Sequence, residues 1–356
     1  MDKTCGNCHL HSHAKAARRV NILGIETSCD ETAAAVVEDG VRVLSSVVST
    51  QHTLHERFGG VVPELASRAH IENILAVTDQ ALADAGLSLS DVAAVAATTT
   101  PGLIGALLVG VTAAKTLSWV LDVPLLAANH LHAHIYAVWL GGTRPELPAV
   151  SLVVSGGHTS LFRTTSELSH ELLGATVDDA AGEAFDKVAN ILRLGYPGGP
   201  AVERAAAGGN GAAVAFPRVM LDAAGADFSF SGLKTAVLYH CLGQNVSKGD
   251  IERAHYTPQF VADAAASFQE AVVDVVVEKT CATAARCCAS SIIVGGGVAA
   301  NARLRERLAQ EASARGLALH LAPRNLCTDN AAMTAGLGWH LLRAGAAAPL
   351  TVEAEP

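Results

Sequence analysis

The chain has 356 residues, half of them hydrophobic and 17% charged, which excludes a disordered chain and allows two lobes with separate cores. A formal net charge of −9 excludes nucleic-acid binding through a uniformly basic surface; such binding needs local basic patches or a partner that supplies positive field. The cysteines, at 5, 8, 29, 241, 281, 287, 288 and 327, lack the spacing of a disulfide framework, and no secretory signal precedes them, so a reducing cytoplasm is the expected compartment.

Residues 1–20 read as an N-terminal extension. Cys5-x2-Cys8 with His9, His11 and His13 offers zinc ligands, but one Cys pair without a second at set spacing reads better as a tail. The first core strand is expected at Asn21–Glu26. Strands Thr32–Val37 and Val41–Val48 follow, joined by Glu38-Asp39-Gly40, a hairpin signal. A helix starts near Pro63, which suits a first helical position, and stops at Gly86. Val92 to Ala114 carries no charge and is long enough to span a bilayer, but its threonines and Pro101-Gly102 make it a buried strand, a turn and a buried helix, with no membrane expected. Strand Pro124–Ala128 completes a first lobe, 21–147, and Thr143 to Pro148 reads as a linker.

The order then recurs in a second lobe, 148–345. Strands Ala149–Val154 and Thr159–Arg163 and a third near Leu172 precede a helical insertion from Asp178 to beyond Val261. Strand Ser291–Val294, helix Asn301–Arg315, strand Leu317–Leu321 and a helix Asp329–Arg343 follow. The tail, 346–356, is rich in Ala and Pro and reads as loose. Three hairpin strands followed by alternating helix and strand, present twice, make the expected fold α/β. It is a duplicated, actin-like (ribonuclease-H-like, ASKHA) two-lobed fold with a ligand cleft between the lobes.

Three glycine-containing turns follow strands at equivalent points: Gly24 to Thr32, Ser155-Gly156-Gly157-His158, and Gly295-Gly296-Gly297 through Asn301. Tight turns need glycine anyway, but three such turns at matching places suit an anion. Asp186 lies too far into its helix to serve the helix dipole, and a carboxylate facing the cleft can accept from a ribose. Tyr196-Pro197-Gly198-Gly199-Pro200 is a rigid turn that either packs against a base or stops a helix. His130 and His134, four apart, lie on one helix face and can reach one metal ion. Asp329 is the candidate carboxylate that would complete a set with open coordination positions.

These motifs resemble the TsaD/Gcp family. The residues that carry the likeness are Gly24 to Thr32, Gly59 to Arg68, Pro101 to Leu107, Ser155 to Thr159, Asp178 to Lys187, Phe228 to Lys234, the triple-glycine loop through Asn301, and Cys327 to Asn330. The resemblance runs from about Asn21 to about Leu342. It implies transfer of a threonylcarbamoyl group from threonylcarbamoyl-AMP to N6 of adenosine 37 in tRNAs reading codons that begin with A. It implies His130, His134 and Asp329 as ligands of one divalent metal ion, Fe2+ as the expectation and Zn2+ as the alternative. By similarity Val153, Val154, Ser155, Gly156, Gly157, Asp186, Gly199 and Asn301 touch the adenylate, with Glu203 as a further acidic contact. Archaeal and eukaryotic cousins carry a tyrosine at the position of Val153, which cannot ligate. Bacterial relatives work with an inactive TsaB-like paralogue and a small TsaE-like ATPase, the partners expected besides tRNA. Asp30 and Glu31 are candidates for the general base or for support of the site, against a plain hairpin role. Arg57, Arg68, Arg218 and Lys234 are the candidate tRNA contacts.

Three rival readings stand against this one. A zinc peptidase with His-x3-His needs a glutamate directly after the first histidine, and here that residue is Leu131. A carbamoyltransferase acting on a small molecule shares the metal set but carries extra modules. A non-catalytic ATPase-fold partner would be expected to lose its ligands, and all three are present.

Overall fold

The computed structural model describes residues 19–221, 225–244, 249, 251 and 255–356. Cys5, Cys8, His9, His11 and His13 lie outside them. The first sheet is built from β1 (Asn21–Glu26), β2 (Glu31–Glu38), β3 (Arg42–Thr50), β4 (Ala94–Thr100) and β5 (Leu125–Asn129), in the order β3-β2-β1-β4-β5. β1–β2 and β2–β3 are antiparallel; β1–β4 and β4–β5 are parallel. The second sheet repeats this with β6 (Ala149–Val154), β7 (Thr159–Ser166), β8 (Ser169–Ala175), β9 (Ser291–Gly295) and β10 (Ala318–Leu321), in the order β8-β7-β6-β9-β10. The expected duplication is present, with the same mixture of antiparallel and parallel pairs.

In the first half the helices are α1 (His52–Glu56), α2 (Pro63–Ala85), α3 (Ile104–Leu121) and α4 (His130–Tyr136). α2 begins on Pro63 and ends against Gly86 in the left-handed region, at φ 66°, where glycine carries no Cβ penalty. The uncharged stretch from Val92 is the central strand β4, a turn, and α3, which packs on α2 and β4. α3 is the one described helix long and apolar enough by itself to cross a bilayer. In the second half come α5 (Ala181–Ile191), α6 (Gly198–Ala206), α7 (Ser231–Leu242), α8 (Pro258–Arg286), α9 (Ala302–Ala314) and α10 (Ala331–Arg343). The expected helical insertion is therefore not continuous. Residues 207–221 and 225–230 between α6 and α7 are non-helical, in a stretch rich in Gly and Ala.

Two expectations about organisation are corrected. The boundary at 147/148 divides the sheets but not the helices. α10, expected with the second lobe, packs on β1, β2 and β4 of the first sheet, while α4 from the first half also reaches β6 and β9. Small residues make this exchange possible. A Cβ on Gly24 would lie 2.3 Å from the Ala331 carbonyl oxygen, so a side chain in the middle of β1 would push α10 off the sheet. Gly24 thus serves helix packing and not an anion turn. The tail is not loose either. Ala348 N donates to Leu125 O (2.8 Å), Glu355 N donates to Thr99 O (2.9 Å), and Val352 packs against the first-lobe core. β5 is an edge strand, and the tail pairs with it at Leu125.

Gly24→Ala is expected to destabilise the chain by about 1–3 kcal/mol through overpacking, read as a lowered urea midpoint. An unchanged midpoint would mean that α10 does not sit this close to β1.

Candidate functional site

β5 ends at Asn129, whose Oδ1 accepts from Leu131 N (2.9 Å) and His132 N (3.1 Å), so the chain turns at once into α4. His130 and His134 fall one helical turn apart, with ring centroids 4.6 Å apart. Asp329 arrives from the loop before α10. Asn330 fixes that loop by donating to Leu326 O and Thr328 O and by accepting from Met333 N at the start of the helix. The Asp329 Oδ1 lies 3.1 Å from His134 Nε2 and 3.5 Å from His130 Nε2. Two positions nearly two hundred residues apart in sequence therefore converge, with their three donor atoms within 4.8 Å of one another. Gly295 makes room for this: a Cβ there would lie 2.3 Å from the His134 carbonyl oxygen.

The far side of His130 is held by a buried carboxylate. Glu26, at the end of β1 and fully buried, places Oε2 3.4 Å from His130 Nδ1, and Ser28 Oγ lies 3.2 Å from the same nitrogen. Glu26 also accepts from Ser28 N (2.7 Å) and from the hydroxyls of Thr98 and Thr334. Burial opposes the charged imidazolium of His130, but Asp329 and Glu26 outweigh it and raise its pKa to about 9. His134 moves down, through burial and then the neighbouring His130. Burial works against ionised Asp329, yet His130 and His134 hold its carboxyl well below the usual range. The same two carboxylates that keep a proton on His130 suit a divalent cation in its place. Two imidazole nitrogens and one carboxylate, backed by Glu26 at Nδ1, fit Fe2+ or Zn2+. His134 Nδ1 is buried with no hydrogen-bond partner among the described residues.

The turn after β6 comes to the same place. Val153 and Val154 are fully buried in the strand, so they carry the turn and offer no side chain to a ligand; Gly156 and Gly157 are exposed. His158 sits with its ring 6.2 Å from that of His130, and burial together with His130 lowers its pKa to about 4. Gly296 adopts φ +97°, and a Cβ there would lie 2.3 Å from the Val154 carbonyl oxygen, so this glycine loop packs directly on the strand end that carries Ser155. Asp186 Oδ1 accepts from Gly198 N (2.7 Å), fixing the turn that leads into α6. Burial raises the Asp186 pKa to about 6. Gly199 has open space where a Cβ would stand. Asn301 caps α9 through Leu304 N and donates to Gln269 Oε1 (2.9 Å), while Glu203 Oε1 accepts from Ala302 N (2.8 Å). Both side chains are thus engaged in holding α6, α8 and α9 together.

A family model described as TsaD: tRNA N6-adenosine threonylcarbamoyltransferase matches residues 42–336. The chain belongs to this family. The curated tRNA N6-adenosine threonylcarbamoyltransferase of Syntrophobacter fumaroxidans is 54% identical over 318 residues, covering 89% of this chain and 93% of its own length. That of Moorella thermoacetica is 51% identical over 345 residues, covering 96% and 97%. Among solved structures, HypF from T. kodakarensis matches with a TM-score of 0.61 at 15% identity over 92% of this chain and 48% of its own. The activator of the 2-hydroxyisocaproyl-CoA dehydratase of Clostridium difficile matches with a TM-score of 0.51 at 14% identity over 92% and 97%. At such identity these two speak for the fold alone, the expected two-lobed actin-like architecture.

The sequence alone assigned no role to Glu26, His52 or His158. Glu26 had one visible signal, an acid ending the otherwise apolar strand Asn21–Glu26. Asp178 accepts from Ser229 and Ser231 hydroxyls and from Phe230 N, and Asp179 pairs with Lys187 (2.7 Å) and Lys234 (3.0 Å). Of the candidate tRNA contacts, Lys234 and Arg218 are thereby engaged, Arg218 with Asp274 at 2.8 Å. Arg57 and Arg68 stand exposed on the first lobe.

Proposed function

We propose that this chain transfers the threonylcarbamoyl group from threonylcarbamoyl-AMP to N6 of adenosine 37 in tRNAs reading codons that begin with A. The observation that carries this reading is the meeting of His130, His134 and Asp329 beside the Ser155–Gly157 turn, in a chain of the TsaD family. The donor is a mixed anhydride. The adenine amine forms a new bond to its carbonyl carbon, the carbon–oxygen bond to phosphate breaks, AMP leaves with the electron pair, and the amine gives up one proton. The amine is a poor nucleophile, so alignment and charge stabilisation carry the rate. A divalent metal held by His130, His134 and Asp329 would supply Lewis-acid polarisation.

The chain's own groups do the rest. In this reading the backbone N–H groups of the exposed Gly156 and Gly157 donate to phosphate oxygens, and Asp186 accepts from a ribose hydroxyl. Asp30 and Glu31, both buried at the start of β2, are the carboxylates proposed to accept the amine proton or to support the site. Adenosine 37 must leave its stack to enter the cleft. A TsaB-like paralogue and a TsaE-like ATPase are proposed partners. Exposed Ile71 and Leu75 on α2 and Ile104 and Leu108 on α3 support a protein partner on the first lobe, where Gly105 against Ser67 brings the two helices together.

The test is formation of modified nucleoside, followed by mass spectrometry, from tRNA, threonine, bicarbonate, ATP and the partner proteins, with and without chelator. No product with all components present would overturn the reading. Two predictions concern the nucleotide. Because the Asp186 carboxylate loses its charge below about pH 6, adenylate affinity is expected to fall as pH drops through 6, and Asp186→Asn should flatten that dependence. Titration calorimetry between pH 5 and 8 reads this, and equal slopes in both proteins would remove Asp186 from the contact. Asn301→Ala is expected to weaken adenylate binding by about 1–2 kcal/mol through the lost cap and the lost tie to Gln269, with a matching loss of stability.

A further inference from the structure

A second group of ligating side chains lies on the first-lobe side of the cleft. Asp30 and Glu31 stand at the start of β2, and His52 opens α1. Each offers a donor atom, and the three atoms lie within 4.8 Å of one another. The topology brings them together. Glu31 pairs with Thr50 at the end of β3, and Gln51 N donates to Asp30 O (3.1 Å), so the next residue, His52, folds back over Glu31. Its Nε2 lies 3.3 Å from Glu31 Oε1.

Two observations make this more than an acidic turn. Asp30 is 7% exposed, and its Oδ2 accepts no hydrogen bond from any described residue. A buried carboxylate oxygen without a donor is costly, and in native structures such a group has a partner in water or an ion. Glu31 is 8% exposed beside it, and burial, then Asp329 and Asp30, push its carboxyl well above the usual range. Two carboxylates held this close are compensated by a cation or by a shared proton. The imidazole completes a ligand set on the open side, since the His52 side chain is 39% exposed.

We propose that Asp30, Glu31 and His52 bind a hard divalent cation, Mg2+ or Mn2+, at a site separate from His130, His134 and Asp329. Two carboxylates leave positions for water and for phosphate oxygens, the usual way in which such cations are held near nucleotides, and the imidazole adds a donor that Mn2+ takes more readily than Mg2+. The surroundings call for positive charge. Glu31 is within electrostatic reach of Asp329, Asp30 and Glu26, and Asp186 within reach of Asp30. A nucleotide phosphate entering this cleft meets that field, and a cation at Asp30 and Glu31 offsets it. This last role rests on the transferase reading; the binding of the cation does not. It gives the Asp30–Glu31 pair the supporting role and not that of proton acceptor.

The test uses metal-stripped full-length protein, without nucleotide or tRNA, titrated with Mn2+ and followed by the electron paramagnetic resonance signal of the free aqua ion. His134→Ala, which disables the first centre, is expected to keep one Mn2+ equivalent that Mg2+ displaces. In that background Glu31→Gln and Asp30→Asn should weaken Mn2+ binding by about tenfold or more, and His52→Ala by several-fold. His52 is partly exposed, so its variant is expected to fold even where the buried carboxylates do not tolerate change, and thermal melts by circular dichroism check each protein. Loss of all Mn2+ binding in His134→Ala, or unchanged affinity in folded Asp30, Glu31 and His52 variants, overturns the proposal and leaves the shared proton. A failed transferase assay with Mn2+ binding intact would strike the proposed function alone.

Discussion

His130→Ala is expected to lose threonylcarbamoyl transfer by about a thousandfold while adenylate binding changes little. The size follows from what the side chain does. One imidazole out of three donors is removed, and with it the metal's polarisation, worth several kcal/mol; about 4 kcal/mol is a thousandfold in rate. The glycine turn, Asp186 and the α6–α9 junction, where the nucleotide is proposed to sit, are untouched. The expected signature is therefore a collapse of kcat at nearly constant affinity for the adenylate. There is a cost in stability as well, because Glu26 is fully buried and loses its ion-pair partner. His134→Ala should show the same kinetic loss, since His134 meets Asp329 from the other side and makes no contact with Glu26 as close as that of His130. Single-turnover nucleoside analysis, with melting curves for each variant, reads both. Normal turnover in either folded variant would take the centre out of the reaction.

Glu26→Gln is the second large effect, and the more informative one, since Glu26 reaches the proposed centre only through His130 Nδ1. The amide keeps the shape but replaces one acceptor oxygen by a donor. Glu26 now accepts from Ser28 N, Thr98 and Thr334 and faces His130 Nδ1, so the new NH2 group has donors for neighbours. The substitution also removes the charge that holds His130 on its Nδ1 side, opposite Asp329 at Nε2. Loss of such an outer carboxylate typically lowers metal affinity by about 10–100-fold. Competition against a chelator measures it, and transfer activity should return at high metal concentration. A purely structural Glu26 would lower stability without moving metal affinity and would not be rescued by metal. That outcome would separate Glu26 from the centre.

Much of the architecture was legible in the chain because hydrophobic period and turn chemistry are local. Asn21–Glu26 and Ala149–Val154 matched the expected strands to the residue, and Pro63 and Gly86 bounded α2 as their backbone preferences require. The pairing of His130 with His134 was legible too, since they share a helix face whatever the fold around them. The tail was misread for an equally physical reason. Its composition carries no periodicity, and what pins it is the unpaired edge of β5, which no local pattern reports. The ties from Asp178 and Asp179 to Ser229, Phe230 and Lys234 were not legible because these partners are about fifty residues away.

By itself, the sequence determined which elements form, that the two halves repeat, and which donors are available to a metal. It did so because those properties depend on spacing within one element and on turn residues a few positions apart. Only the tertiary structure decided that α10 crosses onto the first sheet over Gly24, that Glu26 rather than solvent stands behind His130, and that His52 folds over Asp30 and Glu31. Each of these rests on close contact between segments distant in the chain, where the size of one side chain or the absence of one Cβ settles what meets.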